Sequence, residues 1–215
     1  MNNWFLLFII RALKPDLIVI TGDLINFDYY NENSNLVFMS GLKKLAPLYY
    51  VTGNHEVANK DFTFLEQKLS KMGIMVLKNF GEQLERNGDI IYLMGIDDPI
   101  SISMKDISFM REYLINGLNK VLYKINASMF KILLSHRPEQ FPLYREYKID
   151  LTFSGHAHGG QIRLPFIGGL FAPVQGLFPR YTKGKYTEEN STMVVSGGLG
   201  NSSIPIRIFT SQKLL

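Results

Sequence analysis

The sequence predicts an α/β fold built on a largely parallel sheet. Apolar, β-branched runs recur along the chain, each closing on glycine or a polar residue: 16–23 (DLIVITGD), 48–56 (LYYVTGNHE), 90–99 (IIYLMGIDDP), 130–139 (FKILLSHRPE) and 150–158 (DLTFSGHAH). Between most of them lie stretches with apolar residues at helical spacing. Strand–helix alternation of this kind gives a parallel sheet with helices on its faces. No internal repeat, low-complexity tract or linker interrupts the pattern, so 1–215 reads as a single domain.

The elements follow in order. The apolar run 4–10 is too short to span a membrane, which takes about 20 residues. Arg11 and Lys14 follow the run, and no small-residue cleavage site comes after it, so it does not read as a signal peptide. It predicts a buried helix ending before Lys14-Pro15, because the residue preceding proline is pushed out of the helical region. Segment 16–23 reads as a central strand buried on both faces. Leu36, Met39, Leu42 and Leu45 give 31–45 a helical stripe, as Phe62, Leu65, Leu69 and Met72 do for 61–72. A long amphipathic helix is expected over 105–125. Beyond residue 160, short β-like pieces (161–164, 193–196, 204–209) surround a Gly/Pro/Phe-rich loop, 165–180.

Composition excludes several chemistries. The chain has no cysteine, which removes disulfides, thiolate nucleophiles and thiolate zinc sites. Any metal must be held by His, Asp, Asn, Glu and water, a donor set suited to Mn, Fe, Zn or Mg. The net charge of +4 suits an anionic substrate or membrane surface. Nucleic acid is disfavoured, because no basic stripe with interleaved aromatics is present outside 164–186. That segment combines aromatics with Arg180, Lys183 and Lys185. It reads either as a lip for a phosphodiester with an apolar or lipid portion, or as a loop folded over the sheet edge.

In open α/β sheets, ligands sit beyond the carboxyl ends of the strands. Just after the predicted strands come Asp23, Asn54-His55, His136, and His156 with His158. All four histidines of the chain fall at this edge. Taken singly each piece is weak: a Gly-Asp after a strand is more often a turn, and a lone histidine is more often structural. Together they form a metal constellation. An aspartate can bridge two cations about 3.5–4 Å apart, which lower the pKa of a bound water and clamp a displacement at phosphorus.

The stretches GDLIN, GNHE, SH and GHAH, in this order, resemble the calcineurin-like metallophosphoesterase signature, and the tail from 155 onward resembles its bacterial YkuE-like subgroup. The resemblance implies a four-layer α/β/β/α sandwich and phosphoester hydrolysis, with a phosphodiester as the expected substrate and a metal-bound hydroxide as nucleophile. It implies a binuclear centre holding two divalent ions, manganese among the candidates. It assigns Asp23 as the bridging carboxylate, with Asn54, His136 and His156 completing one site and His158 reaching the other. His55 would act near the leaving group, oriented by Glu56. Arg137 would meet a phosphate oxygen or pair with Glu139, and IDDP (96–99) would be a strand-end loop.

One family motif is absent. The signature opens with D-x-H on a first strand, and no Asp-x-His occurs in this sequence. The expectation is therefore a sandwich lacking its first strand, with one site complete and the other short of ligands. Either the motif is encoded upstream, or the chain is a catalytically impaired metal- or phosphate-binding remnant, or it is a single-metal descendant. The expected location is cytoplasmic or at a membrane surface.

Overall fold

The computed structural model describes residues 3–25, 32–99, 107–164 and 168–199. Helix α1 (Asn3–Leu13) leads into β1 (Ile18–Ile20), followed by α2 (Glu32–Lys43), β2 (Leu48–Tyr50), the short α3 (Asn54–Ala58) and α4 (Phe62–Lys71). Strands β3 (Met75–Val76), β4 (Phe80–Arg86) and β5 (Asp89–Gly95) precede α5 (Ile107–Val121), β6 (Phe130–Leu134), α6 (Phe141–Glu146) and β7 (Leu151–Ser154). The remainder holds β8 (Arg163–Leu164), β9 (Gly168–Gly169), β10 (Phe171–Ala172), β11 (Gly176–Leu177), β12 (Gly184–Glu188) and β13 (Ser191–Val195).

These strands form two main sheets. One is parallel, in the order β1-β2-β3. The other is mixed, in the order β12-β13-β7-β6-β5-β4. Its four inner strands run parallel, and the two edge strands are antiparallel to their neighbours.

The two-residue period of a strand explains the layers. In β2, Leu48 and Tyr50 join Leu6 of α1, Met39 of α2, and Leu65 and Leu69 of α4. Tyr49 faces the other way and, with Val51, meets Leu93, Ile132 and Leu134 of the second sheet. Tyr92 and Met94 of β5 turn outward instead, onto Leu114 and Leu118 of α5 and Phe141 of α6. Helices therefore cover the outer face of each sheet, and the inner faces pack on one another. This is the α/β/β/α sandwich. A slip of one residue in β2 or β5 would exchange the two core faces.

Three features differ from the sequence expectation. First, β1 is an edge strand among the described residues, and Ile18, Val19 and Ile20 are half-buried rather than central. Second, α1 ends as predicted but buries only Leu6 and Ile10, while Trp4, Phe5 and Phe8 face outward. Third, β3, β4 and β12 carried no sequence signal. β3 has only two residues, and the FGEQLER of β4 has no apolar alternation because it covers a sheet edge. The loop 165–180 contains the small β8–β9 and β10–β11 hairpins. The piece 204–209 lies outside the described residues.

Candidate metal centre

The strand ends of both sheets meet at one edge. After β1 the chain turns through Gly22 at φ +91° into Asp23. A Cβ on Gly22 would lie 2.6 Å from Gly53 N and 2.7 Å from His136 Nδ1, so only glycine fits where the two loops touch. Asp23 (φ +55°) and His156 (φ +62°) both hold left-handed backbone without being glycine. Such geometry costs about 1–3 kcal/mol per residue and persists where surrounding structure fixes it, commonly at functional sites.

Asp23, His136 and His156 each bring a ligand atom within 4.8 Å of the others. His136 Nε2 lies 3.1 Å from Asp23 Oδ2, 3.2 Å from Asn54 Oδ1 and 3.1 Å from His156 Nδ1. Four of the sequence-predicted ligands thus converge on one point. Their orientation is set from behind. His136 Nδ1 donates to Thr21 O at 2.6 Å, which turns Nε2 inward. Arg137 Nη1 lies 3.0 Å from His156 Nε2, which turns Nδ1 inward. A guanidinium only donates, so the His156 proton sits on Nδ1 in the metal-free state and must leave that nitrogen before it can ligate.

The donor set fits a divalent ion: one carboxylate, one amide oxygen and two imidazole nitrogens. Asp23 Oδ2 is buried and lacks a hydrogen bond of proper geometry, as expected of an atom shaped for a cation. The electrostatics agree. Burial alone would raise the Asp23 carboxyl, but His136 and His55 beside it hold it down to about 2. Burial disfavours charge on His136, yet the Asp23 carboxylate outweighs that and raises its pKa to about 9. Burial first and Arg137 second push His156 well below the ordinary imidazole range. Below pH 9 an incoming ion therefore displaces a proton from His136. Metal affinity is expected to rise about tenfold per pH unit between about pH 6 and pH 8. Calorimetric titration with Mn²⁺ in buffers of different ionisation enthalpy checks this; pH-independent uptake without proton release would contradict it.

Glu56 has a different task from the one the sequence suggested. Both of its carboxylate oxygens serve backbone: Oε2 accepts from Asp23 N (2.8 Å) and Gly53 N (2.7 Å), and Oε1 accepts from Ile25 N (3.0 Å). It fastens the Asp23 loop to the Gly53 loop. It is fully buried. Burial first, then the charge on Asp23, raises its carboxyl, while the N–H donors oppose the shift.

Arg137 does not face outward toward a phosphate. It is 1% exposed and grips Asp98 through Nε (2.7 Å) and Nη2 (2.8 Å), with Glu139 3.7 Å from Nη1. Asp98 belongs to the IDDP segment, which is the expected strand-end loop after β5 and also anchors Arg137. Its backbone N donates to Thr52 Oγ1 at 3.2 Å, and Thr52 donates to Asp97, tying β2 to β5 across the two sheets. Asp98 follows a strand like the predicted ligands do, and that position was the available signal.

His55 lies at the rim of the cluster. Its backbone N donates to Asp23 Oδ1 at 3.1 Å, and its Nε2 is 3.9 Å from Asp23 Oδ2. His158 is half-buried at φ +48° and opens a 3₁₀ turn, His158–Gly160. It is not one of the three residues of the His/Asp cluster.

The chain is similar to known proteins. The chain is 30% identical over 210 residues to YkuE of Bacillus subtilis, described as an uncharacterised metallophosphoesterase, covering 95% of this chain and 68% of that protein. It is 29% identical over 191 residues to the phosphodiesterase YaeI of Escherichia coli, covering 87% of this chain and 64% of that protein. A Helicobacter pylori metallophosphoesterase matches at 30% identity, with 51% of its length covered. The chain thus spans about half to two thirds of the length of these relatives. Among solved structures, the phosphopantetheinyl hydrolase PptH of Mycobacterium tuberculosis superposes with a TM-score of 0.55 at 10% identity, covering 88% of this chain and 83% of that one, which supports the fold. The family model for calcineurin-like phosphoesterases matches residues 3–160, the span that contains every residue of the cluster, and the chain belongs to that family.

Proposed function

We propose that this protein hydrolyses a phosphodiester with the help of divalent metal held by Asp23, Asn54, His136 and His156. The observation that carries this reading is the convergence of Asp23, Asn54 and His156 atoms within about 3.2 Å of His136 Nε2. A divalent ion bound there supplies charge to offset the phosphate and lowers the pKa of a coordinated water. The chain's own groups do the rest. Asp23, held ionised, balances the cation. His55, beside the cluster, protonates the leaving oxygen as a general acid. Its removal should cost about 10²–10⁴ in rate. His158 would be a ligand to a second ion, with Asp23 as the carboxylate available to both.

Three variants separate these roles. Asn54→Ala should lose metal and activity together. His55→Ala should keep its metal and lose turnover. His158→Ala should lower the metal count toward one. Hydrolysis of a bis-aryl phosphate with added Mn²⁺, alongside metal analysis of each purified variant, is the measurement. Metal loss in His55→Ala would move that residue from acid to ligand. No turnover above that of the free ion would remove the hydrolytic reading.

A second reading has one observation in its favour. Among the described residues, only one His/Asp cluster suited to a metal is present. On this reading the chain binds a single ion and is a catalytically impaired metal- or phosphate-binding protein. It requires no more than one metal equivalent and no turnover in the same experiment.

A further inference from the structure

Helix α1 carries an exposed apolar face. Leu6 and Ile10 are buried in the core, whereas Trp4, Phe5 and Phe8 are 74%, 56% and 70% exposed. The patch extends onto α2. Ser34, Val37 and Gly41 share one helical stripe by their spacing. Ser34 accepts a hydrogen bond from Asn3, and a Cβ on Gly41 would meet Leu7, so this stripe borders α1. Val37 on it is 63% exposed. Scattered exposed apolar residues are ordinary, but clustered aromatics on one helix mark a contact surface.

Charge decides what that contact is. Helix α1 contains no acidic residue, and exposed Arg11 and Lys14 sit at its C-terminal end. A second copy docking through the same face would offer Arg11 and Lys14 no carboxylate from its own α1. An anionic bilayer satisfies both halves of the surface: aromatic rings enter the headgroup boundary, and the cations meet lipid phosphates. No helix among the described residues is long and apolar enough to cross a membrane, so the contact would be peripheral.

The helix is also placed to matter. Leu6, Leu7 and Ile10 of α1 pack in the same cluster as Ile18 and Ile20 of β1, the strand that leads to Asp23 at the metal edge. Asn3, at the start of the helix, donates to Ser34 of α2. At the same edge, strand β9 packs on the His158–Gly160 turn and leads into the β10–β11 hairpin, whose Leu177 is 69% exposed, with Phe178 just beyond it.

We propose that the Trp4–Phe8 face of α1 docks on an anionic lipid bilayer and holds the metal-binding edge of the sandwich at the membrane surface. The docking is separate from catalysis and is tested without it. Trp4 is the sole tryptophan, so its emission reports this face directly. Mixed phosphatidylcholine–phosphatidylglycerol vesicles should shift that emission to shorter wavelength and co-sediment with the protein, with added salt weakening both. Pure phosphatidylcholine should bind much less. Phe5→Ser/Phe8→Ser should lower partitioning by about tenfold or more. Both residues are exposed, so far-UV circular dichroism and metal uptake should stay unchanged. No co-sedimentation, equal binding to both vesicle types, or full binding by the double variant would each overturn the proposal. A blue shift that grows with protein concentration in the absence of lipid would overturn it in favour of a second copy.

Discussion

Arg137→Leu is expected to cost about 3–5 kcal/mol of stability. The guanidinium is buried and bidentate to Asp98, whose side chain is fully buried beside it. Removing the cation strands that carboxylate without the charge that compensates its desolvation. Glu139 would suffer as well, because burial already pushes its carboxyl up and Arg137 is the cation that opposes this. A buried pair replaced as a unit behaves differently from one that is broken. Arg137→Leu/Asp98→Leu should therefore regain most of the lost stability. Chemical denaturation of the single and double variants is the measurement. Equal destabilisation in the single and double variants would mean that packing volume, not the stranded charge, sets the cost.

Much of the sandwich and its metal edge was legible because it is written in local pattern. Runs such as LYYV and YLMG end at the edge where ligands gather, and each carries its own punctuation. A cysteine-free chain with four histidines, all at strand ends, left few other donors to consider. What escaped notice depends on partners far along the chain. Glu56 looked like a companion to its neighbour His55, yet its carboxylate serves Asp23 and Ile25, more than thirty positions away. Arg137 read either as a phosphate contact or as a partner of nearby Glu139, and Glu139 does lie 3.7 Å from its Nη1, but the main partner of the guanidinium was missed. Its partner Asp98 is 39 positions distant, and no local pattern encodes that pairing. The outward face of α1 was misread for a related reason. WFLLFII is apolar on every side, so periodicity could not say which side the core would take. Strand β1 looked central because its residues are apolar. Its place at the edge of the described sheet is a matter of topology rather than of composition.

Glu56→Ala is expected to lower stability on the order of 4 kcal/mol and to abolish metal binding, although Glu56 is not in the metal cluster. Its carboxylate is the acceptor for the Asp23, Gly53 and Ile25 backbone N–H groups, in a site without solvent. Leaving a buried donor without its acceptor costs about 1–3 kcal/mol each. The geometric loss is at least as serious. Asp23 sits at φ +55° between two loops in backbone contact, a conformation uncommon for any residue but glycine. Glu56 supplies part of the restraint that holds it there. Glu56→Gln gives the sharper test. Its carbonyl oxygen can still serve the Asp23 and Gly53 donors, while its amide group faces Ile25 N–H without accepting from it. The glutamine variant should therefore fold but, with the Ile25 anchor lost, hold the Asp23 loop less firmly and bind metal weakly, with a stability loss of about 1–3 kcal/mol. A purely structural role would lower stability in both variants while leaving the metal affinity of the folded glutamine protein untouched. Metal affinity measured on that folded variant decides between restraint of Asp23 and simple support of the core.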